Sequence, residues 1–228
     1  APENTLGGFQ YIHDLGIRAV EFDVRQLKDH ELIIMHDDNM LRTTGINQAL
    51  YPLSSTELDT YNQAHIWLDW EKQSTPTLRQ ALQIMQDFEH LEVEVKAVET
   101  QAEAERLTQH LTQQLRDFEQ RAVITSFDLK ILQALQDQHS TFKRGLLIED
   151  DIQHLAIEQA LKYDCCQIGW MNQLATDDLL KATQQANLAI SVWTVNDIER
   201  AKHLRDCGID GLITDFPKMM LQHLADVH

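Results

Sequence analysis

A short apolar run followed by a helical stretch recurs along most of this chain, and no other feature restricts its fold as much. The runs are IRAVEFDV (17–24), LEVEVKA (91–97), RAVITSF (121–127), KRGLLIE (143–149), CQIGW (166–170), AISVWTV (189–195) and DGLITDF (210–216). Segments with helical periodicity lie between them, among them 77–88, 102–118, 152–162 and 177–186. Strands alternating with helices imply a parallel sheet with helices outside it. Several runs are almost continuously apolar, as strands covered on both faces are. Seven strands are one short of a closed barrel. Asn4–Leu15 reads as a helix stopped at Gly16, and its preceding strand would lie upstream of Ala1. The expected architecture is therefore an α/β TIM (β/α)8 barrel with a small insertion, its first strand missing from this stretch of sequence. An open doubly wound sheet is the alternative that pattern alone leaves. A length of 228 residues suits a single domain over 1–228, and 43% hydrophobic residues supply its core without a disulfide or a metal.

Two segments break the repeat. Residues 39–75 hold no strong strand and are too long for a bare loop, so a small cap-like insertion is expected there. The other is VEFDVRQLKDHELIIMHDD (20–38), in which IIMH follows EFDV too closely for a helical crossover. The two runs should form an antiparallel hairpin. A turn centred between Asp29 and His30 pairs residues whose numbers sum to 59. Asp23 then faces His36 and Glu21 faces Asp38, at the strand end where barrel active sites are built.

The chemistry sits in the same hairpin. Glu21 and Asp23 are two apart on a strand and share a face, with Val20, Phe22 and Val24 on the other. They form either the polar face of a half-exposed hairpin or a converging pair that needs a cation. Hard oxygen ligands suit Mg²⁺ or Ca²⁺. In LEVEVKA, Glu92, Glu94 and Lys96 share a face. Glu94 can complete a three-carboxylate set, while Glu92 lies deeper and is read as structural. Lys96 either meets a phosphate oxygen or closes an internal ion pair. His36 among acids suits a general acid/base, a metal ligand or a structural hydrogen-bonder. Trp193, at the end of another strand, is either core or an apolar wall for an alcohol group. In TDFP, Thr214 or Asp215 should cap a helix with Pro217 in its first turn.

Charge narrows the partners. Thirty-six acids against 19 Lys and Arg give a formal net charge of -17, which repels nucleic acid and anionic membrane surfaces. An acidic protein acting on an anionic small molecule has to bring its own cation. No run reaches the roughly 18 apolar residues of a membrane span. Cys165, Cys166 and Cys207 cannot pair completely and are read as small, reduced core residues, which points to the cytoplasm. No Gly-rich phosphate loop, GxSxG, CxxC or HExxH is present, so the acidic cluster must carry the chemistry.

In order, APENT, EFDVRQLKD, HDDNMLRTTG, PTLRQAL, EVEVK, TSFD, WTVN and GIDGLITDFP resemble the glycerophosphodiester phosphodiesterase family from end to end. The resemblance implies a TIM barrel and metal-dependent hydrolysis of a glycerophosphodiester to glycerol 3-phosphate and an alcohol, in lipid and glycerol metabolism. It makes Glu21, Asp23 and Glu94 the ligands of a divalent ion. His36 becomes one of two acid/base histidines, and Lys96 lies by the phosphate. Arg42 and Thr43 follow the family motif and are read as packing at the insert's base. The family's first strand ends in His-Arg-Gly shortly before the APENT-like stretch, so the second histidine and a phosphate-binding arginine are expected upstream of Ala1. The short insert resembles that of the small intracellular members. Two other functions stand beside this one: lysophospholipase D-like cleavage at the same site, and a non-catalytic phosphodiester- or metal-binding module lacking the upstream pair. The oligomeric state is left open.

Overall fold

The computed structural model describes residues 1–224, and the chain divides into two compact units, Ala1–Val123 and Ile124–His228. The first opens with α1 (Leu6–Asp14), stopped by Gly16 in the left-handed region at φ +82°. Strand β1 (Ala19–Gln26) and the short β2 (Leu32–Ile34) form the expected antiparallel hairpin. The insertion follows, with single-turn helices α2 (Leu41–Thr44) and α3 (Ser55–Leu58). Helix α4 (Leu78–Ile84) starts at a capping box in which Thr77 and Gln80 satisfy each other's backbone amides. Strand β3 (His90–Val95) lies parallel to β1, giving the order β2-β1-β3. Helix α5 (Gln101–Gln114), capped by Thr100 and Glu103, and a 3-10 turn at Arg116–Phe118 complete the unit. Strand β4 (Ala122–Ser126) crosses the boundary in the chain.

The second unit repeats one motif: α6 (Leu129–Asp137), β5 (Lys143–Ile148), α7 (Leu155–Lys162), β6 (Gln167–Met171), α8 (Asp177–Gln185), β7 (Ala189–Trp193), α9 (Ile198–Asp206), β8 (Gly211–Leu212) and α10 (Pro217–Leu224). Strands β5 to β8 are parallel and adjacent in chain order, the arrangement that short right-handed crossovers enforce. Leu146, Ile148, Ile168, Trp170, Ile190 and Val192 of these strands pack against Leu179, Leu180, Ala201 and Leu204 of the helices. Trp170 is fully buried, and its indole N–H donates to Thr183 Oγ1 at 3.2 Å, so its one polar atom is satisfied.

The hairpin register differs from the sequence expectation by one residue. Val24 faces Ile34, Arg25 faces Ile33 and Gln26 faces Leu32, so Asp23 meets Met35, whose amide donates to its carbonyl at 3.0 Å. His36 and Asp38 are not the partners of Asp23 and Glu21. The loop is three residues, 28–30, centred on Asp29. His30 takes the left-handed conformation at φ +69°, and the Glu31 amide donates to Asp29 Oδ1 at 3.1 Å. Nothing in LKDHE marks that position with a glycine.

The insertion carries a core of its own. Met40, Leu50, Leu53 and Leu58 pack on Leu27, Ile33 and Met35 of the hairpin. Thr43, expected as packing at its base, is buried and hydrogen-bonded to Gln63, which in turn donates to Thr75 Oγ1 at 2.6 Å. The cysteine expectation needs correction: all three are free, but only Cys165 is buried, Cys207 is partly covered and Cys166 is exposed. Cys166 precedes the strand and lies outside the apolar run it was counted with. Pro217 opens α10 as expected. Thr214 accepts the Phe216 amide at 3.1 Å, whereas Asp215 accepts from Asn196 of WTVN at 2.7 Å.

Candidate active site on strands β1 and β3

Parallel pairing of β1 and β3 sets Glu21 beside Glu92 and Asp23 beside Glu94. Alternation along each strand puts all four acids on one face, and it puts Arg25 and Lys96 one step further along that face. Glu21, Asp23 and Glu94 each offer a carboxylate oxygen within 4.8 Å of the others. Asp23 and Glu94 are buried, and so is Glu92 below them. The Lys96 ammonium reaches between two of the three, 2.6 Å from Asp23 Oδ1 and in contact with Glu94 Oε1.

Asn4 is a fourth participant that residue-by-residue reading did not single out, although it sits in APENT. Its Nδ2 donates to Asp23 Oδ2 at 2.7 Å, and its Oδ1 accepts the Asp23 amide at 3.2 Å. The local sequence builds that position. Asn4 takes the left-handed conformation at φ +53°, which asparagine tolerates better than most residues. Thr5 caps α1, donating its hydroxyl to Pro2 O and accepting the Gly8 amide, both at 3.0 Å. A Cβ at Gly8 would lie 2.3 Å from Pro2 O, so only glycine lets the helix close on this turn.

The electrostatics of the row point one way. Burial, then repulsion from Asp23, Glu94 and Glu92, raises the Glu21 pKa well above the ordinary range, and Lys96 offsets only part of it. Burial and the charge of Asp23 push Glu94 up to about 7. Burial alone would lower Lys96, but Asp23 and Glu94 outweigh it and its pKa is raised. Glu21 Oε1 is buried without a hydrogen-bond partner. Lys96, with Arg25 a step further along, does not neutralise four clustered acids, three of them buried, and a buried oxygen with no donor is an expensive feature unless something binds it. A hard divalent cation fits that donor set: all-oxygen, converging, and short of positive charge.

His36 lies just past β2, half-exposed, and is held by a chain of charges. Its Nδ1 is 2.6 Å from Asp37 Oδ1. Arg42 Nε donates to Asp37 Oδ2 at 2.7 Å, and the other guanidinium nitrogens grip Glu3. Burial alone would raise Asp37, but hydrogen bonds from Arg42 and His36 hold it below the usual carboxylate range. An ionised carboxylate only accepts, so Nδ1 carries the proton in this pair and Nε2 is left as the working nitrogen. Arg25 fixes the backbone there, donating through Nε and Nη2 to the His36 carbonyl at 3.0 and 2.7 Å. Arg42 thus has an orienting position that the packing expectation did not include.

Trp193 closes β7 in the second unit, with its ring edge-to-face against Phe127 at 5.3 Å and its indole N–H donating to Gly169 O at 3.1 Å. Asn196, three residues on, accepts from Thr214 Oγ1 and the Asp215 amide, both at 3.1 Å, so WTVN and TDFP brace each other.

The model of the glycerophosphoryl diester phosphodiesterase family matches residues 1–219. A glycerophosphodiester phosphodiesterase of Caldanaerobacter subterraneus is 24% identical over 224 residues, 96% of this chain and 91% of that protein. The human lysophospholipase D GDPD1 is 36% identical, but over 59 residues only, 26% of this chain and 19% of that one. Among solved structures, an Oleispira antarctica phosphodiesterase in complex with the product sn-glycerol-3-phosphate superposes with a TM-score of 0.88, at 21% identity, covering 99% of this chain and 92% of its own. The Thermotoga maritima glycerophosphodiester phosphodiesterase gives 0.79 at 22% identity, covering 97% and 92%. These likenesses establish the TIM-barrel class of α/β fold expected from the strand–helix alternation.

Proposed function

This chain belongs to the glycerophosphoryl diester phosphodiesterase family, and we propose that, as one catalytic domain, it hydrolyses a glycerophosphodiester to glycerol 3-phosphate and an alcohol with the help of a divalent cation. The observation that carries the reading is the convergence of Glu21, Asp23 and Glu94, with one buried oxygen of Glu21 unpartnered. These three residues would hold Mg²⁺ or Ca²⁺. When bound, the ion relieves the repulsion among them and stabilises negative charge on the phosphoryl oxygens.

The remaining work falls to side chains of this chain. Lys96 contacts the acids in the metal-free arrangement and is the cation closest to hand for a phosphate oxygen. Asn4 keeps Asp23 from rotating away. His36 carries a proton at Nε2, to or from the attacking or leaving oxygen, while Asp37 and Arg42 hold its other nitrogen. Trp193, half-buried against Phe127, is the proposed apolar contact for the alcohol group. The product bound to the Oleispira relative supports glycerol 3-phosphate as the shared product. Free cysteines support a reducing, cytoplasmic setting; no described helix is long and apolar enough to cross a membrane.

One observation favours a second reading, lysophospholipid cleavage at the same site. The insertion exposes Leu41, Tyr51, Ile66 and above all Leu68, at 93%, apolar surface of the kind an acyl chain would contact. The full-length protein should be given glycerophosphocholine and lysophosphatidylcholine in parallel with Mg²⁺ or Ca²⁺. Glycerol 3-phosphate release from the first, with little turnover of the second, is expected. Turnover of the lysolipid alone selects the second reading, and no turnover of either leaves a binding module.

A further inference from the structure

A second cluster of ligating side chains lies in the second unit, on the outer helices rather than the strands. Asp177 is the first residue of α8, directly after its cap Thr176. His203 and Cys207 are four apart at the end of α9, and so lie one above the other on a single face. The three meet where the helices touch. His203 Nε2 is 2.7 Å from Asp177 Oδ1, Cys207 Sγ is 3.6 Å from that nitrogen, and the sulfur is 3.9 Å from the same oxygen.

We propose that Asp177, His203 and Cys207 form a binding site for a borderline-soft transition-metal ion of the Zn²⁺ class, separate from the carboxylate row on β1 and β3. Metal–ligand bonds of about 2.0–2.3 Å in tetrahedral arrangement place neighbouring donors about 3.3–3.6 Å apart. The observed triangle of 2.7, 3.6 and 3.9 Å brackets that range. Only the imidazole–carboxylate hydrogen bond has to open, by about half an ångström. One sulfur, one nitrogen and one oxygen select Zn²⁺-like ions over Mg²⁺ or Ca²⁺, which prefer oxygen alone. Three protein ligands leave a fourth position for water, and the half-exposed imidazole gives an ion access from solvent.

The backbone around the triad is fixed. Gln184 Nε2 donates to the carbonyls of Cys207 and Gly208 at 2.9 and 3.1 Å, tying α8 to the end of α9. Arg200 donates to Asn172 Oδ1 at 2.9 Å and to Ala175 O at 2.6 Å, tying α9 to the loop before α8. Burial and the neighbouring Asp177 charge push the Cys207 thiol up, so it is protonated in the metal-free protein. Binding therefore forms a metal–sulfur bond and releases the thiol proton to solvent.

The test is a Cd²⁺ titration of the full-length protein in saturating Mg²⁺, read by ultraviolet thiolate-to-metal charge transfer. Carboxylate sites are silent in that band because they hold no sulfur. The wild type and Cys166→Ser should both give the band, saturating at one equivalent, and Cys207→Ser should abolish it. His203→Ala and Asp177→Asn should each weaken Cd²⁺ by more than about tenfold, the low end of what loss of an outer-sphere partner alone does. Phosphodiesterase turnover in Mg²⁺ should be unchanged in all four variants. Absence of a band in the wild type, or a band that survives Cys207→Ser, overturns the proposal and leaves the triad a helix–helix hydrogen-bonded contact.

Discussion

The carboxylate row of the first unit and the Asp177–His203–Cys207 triad of the second bring together similar numbers of ligating atoms, yet they solve opposite problems. Asp23 and Glu94 are buried, whereas the side chains of Asp177 and His203 keep 67% and 47% of their exposure. Buried, like-charged acids raise one another's pKa, as Glu21 and Glu94 show, so the row is unfavourable until a cation arrives. The surface triad is already satisfied by a hydrogen bond between its histidine and carboxylate, and solvent screens what remains. The strand site gathers acids that repel one another, and the proposed ion would relieve them. A site on the helices can accept one but does not need it.

The sharpest way to break that contrast is to remove charge from each side. Glu94→Gln should weaken divalent-metal binding and lower kcat/KM together by on the order of 10²–10⁴-fold, since Lewis-acid stabilisation is worth several kcal/mol. The same neutralising change at Asp177 should leave turnover alone. His36→Ala should lower kcat by about 10²–10⁴-fold while leaving metal affinity near wild type, because a general acid/base acts only on the proton. Asp37→Asn should retain part of that loss, about tenfold or more in kcat, because it frees the imidazole to turn. Both effects would be read from steady-state kinetics beside a direct metal titration.

Acidity offers a subtler contrast. In the metal-free protein the Glu94 pKa rises from its ordinary 4.5 to about 7. Between those values the folded state binds more protons than the unfolded one, so its stability should fall as pH rises through that window. Metal binding must displace the proton. Divalent-ion affinity should therefore climb with pH, by up to about tenfold per unit for each proton displaced, from Glu94 and from Glu21, whose pKa is raised as well. Stability of the metal-loaded form should lose the downward slope, which chemical denaturation at several pH values would reveal. The smallest effect belongs to Trp193→Ala, a few-fold rise in KM for the alcohol-bearing substrate, the size expected for an apolar contact worth about 1 kcal/mol.

How far the sequence reaches also differs between the two regions. Strand periodicity of two made Glu21, Asp23, Glu94 and Lys96 legible, because each pair sits on one strand and the two strands run parallel in one register. The hairpin partner of Asp23 was misjudged by one residue, because the loop turns on a left-handed histidine rather than on glycine. The Glu3–Arg42–Asp37–His36 chain joins APENT to HDDNMLRTTG, and neither stretch by itself announces that contact. In the second unit His203 and Cys207 are readable as a helical i,i+4 pair, but Asp177 arrives only through the packing of α8 on α9. Periodicity encodes what one element presents. Tertiary contact decides who meets it.

The central claim is that the buried acids of β1 and β3 work by holding a divalent ion. The direct measurement is the rate of glycerol 3-phosphate release from glycerophosphocholine by the full-length protein, before exhaustive chelation, after it, and after Mg²⁺ or Ca²⁺ is returned. The rate should fall to background and recover with the ion in the wild type, and fail to recover at the same ion concentration in Glu94→Gln. An undiminished rate in the chelated protein would contradict the account.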